Sequence, residues 1–181
     1  MRKLALVLLV AGAALCAAGG ASAGHGDTVV TDTQNFHGSF TDTGATNPCD
    51  NNAPMAVTFN GNAVFHNTLF FAPGVDPNDP NSVPDNVWFT GTETGRVSAQ
   101  EYTDPNDPFG SLVGPVYSGR ATAWFNFNLN ERNANSTFTL TIKATAPGGL
   151  TIVGHEVSHV NFDSTFTPTL SFDKPSWTCG S

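Results

Sequence analysis

The chain has 181 residues, and its seven Lys and Arg stand against fifteen Asp and Glu, a formal net charge of −8. So acidic a protein is a poor partner for nucleic acid or for an anionic membrane surface. Its longest apolar run, residues 4–18, is too short to span a bilayer comfortably.

That run follows Arg2 and Lys3 and leads into Ala21-Ser22-Ala23, the pattern of an export signal cleaved after Ala23. Leu15 precedes Cys16 where a lipoprotein signal needs a small residue, so no lipid anchor is expected. Residues 1–23 are read as the signal peptide and 24–181 as one mature, secreted domain. At about 158 residues such a domain buries roughly 70% of its unfolded surface in a single core. Arg2 and Lys3 leave with the signal, so the mature chain carries five basic residues against fifteen acidic ones.

The mature chain has no apolar 3.6-residue period, whereas Thr, Val and Phe alternate between clusters of Gly, Pro, Asn and Asp. The first predicted strand covers 29–41. Cys49 follows it in an Asn47-Pro48 turn, and Cys49 and Cys179 are the only cysteines outside the signal. A pair in an oxidising compartment implies a disulfide tying the C-terminal tail to the first loop.

The second strand, 55–71, is long and holds Asn60-Gly61-Asn62, a place for a bend or a hairpin. Asp76-Pro77-Asn78-Asp79-Pro80 precedes the third strand, 86–100, and Asp104-Pro105-Asn106-Asp107-Pro108 follows it. Both phrases make good Asx and proline turns, and that reading is preferred to a calcium site, because no EF-hand spacing is present. The two loops flank one strand and so belong at opposite ends. Glu93, between Gly91 and Gly95, is in phase with the apolar Val87, Phe89, Val97 and Ala99 and is expected inside.

The fourth and fifth strands, 116–129 and 136–146, alternate most cleanly. Ala121, Ala123, Phe125 and Phe127 share one face, as do Phe138, Leu140 and Ile142, opposite Thr- and Asn-rich faces. Trp88 and Trp124 fall on the outer faces of their strands, and Trp177 is expected to pack near Cys179.

The sixth strand, 150–162, contains His155-Glu156-Val157-Ser158-His159, which matches the H-E-x-x-H pattern of zinc proteases. That chemistry requires a helix to stack the two histidines one turn apart. Here the surroundings are β-branched, and no Glu or His follows His159 to supply a third ligand. On a strand, residues four apart lie roughly 13 Å from each other, so no zinc site, cofactor or peptidase activity is expected. Across the Pro147-Gly148 hairpin two registers compete, with paired residue numbers summing to 295 or 296. The first keeps Glu156 off the apolar face and sets His155 and His159 inward beside Leu140 and Phe138; it is the register expected. A seventh strand, 165–173, completes the set.

Seven or eight such strands with mostly short connections predict an all-β fold, an antiparallel up-and-down barrel of lipocalin-like architecture, with a two-sheet sandwich as the alternative. Glu93, His155 and His159 are the candidate ligand-binding residues of its interior.

The order of Asn47-Pro48-Cys49, Gly61 with Val64-Phe65-His66, Gly91-Thr92-Glu93-Thr94-Gly95, Phe125-Asn126-Phe127-Asn128-Leu129, His155-Glu156 with His159, and a terminal Cys179 resembles a family of small secreted β-proteins of high-GC Gram-positive bacteria. The family is functionally uncharacterised, so the resemblance implies export, β architecture and a cysteine pair, and no activity. The leading expectation is a non-enzymatic secreted β-barrel that binds a small, at least partly apolar molecule. An extracellular or envelope-associated interaction protein with a packed core is the first alternative, and a barrel isomerase or cyclase using His155 or Glu93 the second.

Overall fold

The computed structural model describes residues 28–130, 133–165 and 167–180. The predicted export signal lies outside the described residues. Seven strands, β1 (Thr28–Asn47), β2 (Ala53–Phe71), β3 (Asn86–Tyr102), β4 (Leu112–Asn130), β5 (Ala134–Thr145), β6 (Thr151–Phe162) and β7 (Pro168–Gly180), form one antiparallel sheet in chain order. The all-β, up-and-down architecture is the one expected. The sheet is not a closed barrel, because β1 and β7 are its two edges and form no ladder with each other, and it is not split into a sandwich.

The edges are joined covalently at one end. Cys49, in the β1–β2 turn, is bonded to Cys179 near the end of β7, with Cα atoms 5.6 Å apart and a sequence separation of 130. The same turn is anchored from beneath by Asn47, which is fully buried. Its Nδ2 donates to Glu101 Oε1 at 2.6 Å, and its Oδ1 accepts from the Cys49 amide at 2.9 Å.

The core gathers at this end. One row of paired residues crosses six strands through Phe59, Val97, Gly119, Ala144, Ile152 and Cys179, and Tyr117, Ala121 and Leu140 pack beside it. β2 runs unbroken through Asn60-Gly61-Asn62, because Gly61 meets Gly95 so closely that a side chain at either position would strike the facing backbone.

The two Asp-Pro phrases are turns at opposite ends of β3. Asp76 Oδ1 accepts from the Asn78 amide at 2.9 Å, Asp79 Oδ1 from the Asn81 amide at 2.9 Å, and Asp104 Oδ1 from the Asn106 amide at 2.8 Å. These carboxylates thus stand in for backbone acceptors, as Asx turns do.

The expected register of β5 and β6 is corrected. Leu140 pairs with Glu156, Thr141 with His155 and Thr137 with His159, so the paired numbers sum to 296. The cause is the turn. Gly149 donates to the Ala146 carbonyl across Pro147 and Gly148, and Gly148 and Gly149 have φ of 87° and 88°. Proline followed by a glycine at positive φ is a type II turn, and the second glycine adds the one residue that shifts the register. Every side chain of β6 changes face with it.

Candidate functional site

In this register β6 turns Ile152, Gly154, Glu156 and Ser158 toward the core face and His155 and His159 away from it. His155 is exposed and shares a hydrogen bond with the Thr141 hydroxyl at 3.2 Å. His159 bonds Thr137 at 2.7 Å and Asn161 at 2.9 Å, and stacks on Phe172. Neither histidine is an interior ligand-binding residue, and the H-E-x-x-H segment is strand throughout. Among the described residues no group of three His, Cys, Asp or Glu is arranged to hold a metal ion.

Gly154 explains why the chain accepts a buried carboxylate in exchange. The Trp177 ring lies directly over it, in the space a Cβ would fill. With the other register that position would face outward and Trp177 would lose its seat in the core. Gly91 does the same for Phe65 and Phe125.

Glu93 is on the inner face, as expected, and Glu156 joins it. They occupy one row, Glu93–Ala123–Leu140–Glu156, across β3 to β6. Measured along the sheet, three strand spacings put them roughly 14 Å apart. The next row carries Gly91, Phe125, Phe138, Ser158 and Asp173. Phe125 stacks on Phe89 and tilts against Phe65, with centroids 5.6 and 5.5 Å apart, and Phe65 meets Phe36 at 5.2 Å. Phe36, on edge strand β1, is 49% exposed, so the aromatic cluster opens to solvent at the unpaired side of the sheet.

The electrostatics of this face are unusual for an aromatic one. Burial raises the Glu93 pKa. Glu156, only 7% exposed, is raised to about 6, first by burial and then by the neighbouring Asp173 carboxylate. Oδ1 of Asp173 is buried without a hydrogen-bond donor, and a protonated Glu156 supplies one to this carboxylate. Asp32 and Asp42 of β1 are in the same phase, paired with Asn67 and Val57. The inner face therefore joins phenylalanine rings to two carboxylates, Glu93 and Glu156, that bind protons more tightly than usual, and among the described residues no Lys or Arg is on it. Sequence reasoning missed Glu156 and Asp173; the signal was Gly154, which like Gly61, Gly91, Gly95 and Gly119 marks the inner face.

No protein family, curated protein or solved structure matches this chain.

Proposed function

We propose that this chain is an exported, non-enzymatic binding protein that takes, on its inner face, a small molecule with an apolar body and a positively charged group. The observation that carries the reading is the row of Glu93 and Glu156 beside Phe125 and Phe138. Phenylalanine faces attract both apolar surface and cations, and a cation relieves the cost of buried carboxylates that no basic residue offsets. The small apolar ligand expected from the sequence is thereby narrowed to a cationic one, with Glu93, Glu156 and Asp173 as its polar contacts in place of the histidines.

Export belongs to the same proposal. The signal-like residues 1–23 and the Cys49–Cys179 disulfide support it, and the resemblance to small exported proteins of high-GC Gram-positive bacteria agrees.

A fluorescence titration with two dyes tests the reading. The aromatic cation rhodamine 6G should saturate at one per chain at pH 7.5, and the aromatic anion anilinonaphthalene sulfonate should not bind. Glu93→Gln with Glu156→Gln should weaken the cation at least tenfold. Equal binding of both dyes, or no loss in the double variant, rejects the proposal.

A further inference from the structure

The charges of this sheet are sorted by face. Asp32, Asp42, Glu93, Glu156 and Asp173 are in phase with the core, whereas Arg96, Arg120, Lys143 and Lys174, the described Lys and Arg residues, are all on the outer face. Three of these four stand side by side. Arg96 pairs with Arg120, and Arg120 with Lys143, so three cations occupy one row across β3, β4 and β5, all of them exposed.

Like charges directly opposite each other on a sheet destabilise it. Here nothing on the sheet compensates: the row itself runs Ser39, Asn60, the three cations, Val153 and Thr178, and the rows on either side hold no Asp or Glu. On one side stand Thr58, Ser98, Ser118, Thr145 and Thr151; on the other Asn62, Thr94, Thr122, Thr141 and His155. The acidic loop after β3 begins beyond Tyr102, six residues from Arg96. That is roughly 20 Å along the strand, more than two screening lengths at physiological salt, each about 8 Å.

Two exposed indoles extend the pattern. Trp124 is 41% exposed and Trp88 48% exposed, both on the outer face of the β3–β4 pair. Trp124 pairs with Thr92 and Trp88 with Asn128. Along this ribbon the order is Trp88, then Trp124 four residues on, then the Arg96–Arg120 pair a further four residues on. Each step is roughly 13 Å, and the positions between are Thr and Asn.

We propose that this outer face binds a linear acidic glycan laid along β3 and β4. Its sugar rings stack on Trp88 and Trp124, its hydroxyls bond the Thr and Asn side chains between, and its carboxylates meet the Arg96–Arg120–Lys143 row. A nucleic acid is the poorer fit: its phosphates repeat every few ångströms and call for cations along the track, whereas here the cations lie across it at one position. The proposal is independent of the inner-face site, because side chains of successive residues point to opposite faces.

Affinity electrophoresis of the full mature chain through gels containing polygalacturonate, neutral dextran or single-stranded DNA separates the outcomes. Polygalacturonate should retard the protein, and dextran should not. Arg96→Gln with Arg120→Gln and Lys143→Gln should abolish the retardation, Trp124→Ala should weaken it at least fivefold, and Lys174→Gln should leave it within twofold. Circular dichroism and the intact disulfide verify that each variant is folded. Unchanged retardation in the triple variant, equal loss in Lys174→Gln, retardation by dextran, or DNA binding as tight as that of polygalacturonate overturns the proposal.

Discussion

Glu156→Gln should stabilise the protein at neutral pH. Glu156 is 7% exposed, and its pKa is raised to about 6 from an ordinary 4.5. The folded state therefore holds the proton more tightly than the unfolded chain does. Wild-type stability is gained as pH falls from above 6 to 4.5 and lost as pH rises through the same window. The difference between 4.5 and about 6 corresponds to roughly 2 kcal/mol, which solvent screening reduces to about 1–2 kcal/mol. The amide keeps the side chain's shape and still donates to Asp173. Urea unfolding at a series of pH values should show Glu156→Gln more stable by about 1–2 kcal/mol at pH 7.5, with the difference vanishing by about pH 4. In a domain of this size that is a rise in Tm of roughly 2–8 °C. A destabilised variant, or a difference that does not change with pH, would refute the burial and charge argument.

Other expectations follow from the same geometry. Replacing exposed His155 with Asp should change stability by no more than about 0.5 kcal/mol in urea melts, since it stays on the wet face. Gly154→Ala places a methyl group against the Trp177 ring and should cost about 1–3 kcal/mol, with a loss of near-ultraviolet circular dichroism from that indole. Thiol titration of residues 24–181, denatured and unreduced, should find no free thiol. Cys49→Ser with Cys179→Ser removes a bond that closes a loop of 130 residues and should lower stability by up to about 5 kcal/mol.

What the sequence made legible was local. Alternation in residues 116–129 and 136–146 fixed the faces of β4 and β5, because Phe125, Leu140 and Ile142 leave no ambiguity about which side is apolar. The disulfide followed from there being no other pair of thiols. The face of β6 was not legible, because it depends on one residue of turn length at Pro147-Gly148-Gly149. The choice between registers rested on keeping a carboxylate from the apolar side, yet Glu93 already broke that rule on β3. The seat Gly154 provides for Trp177, more than twenty residues away, outweighed it. Asn47 and Glu101 were illegible for a similar reason: their bond joins residues 54 apart, on β1 and β3, beyond a register shift in β1 between Asp42 and Ala45. The open edge was not legible either: β1 and β7 form no ladder with each other, and whether the first and last strands pair is not written in any single strand's pattern.

The central claim, a buried carboxylate on an aromatic face that receives a cation, is tested most directly by carbon-13 NMR titration of the Glu156 side-chain carboxyl with and without saturating rhodamine 6G. The free protein should titrate at about 6, and the dye should move that midpoint down by at least one unit, since a nearby positive charge favours the carboxylate. A midpoint near 4.5 that the dye leaves unmoved would contradict the account.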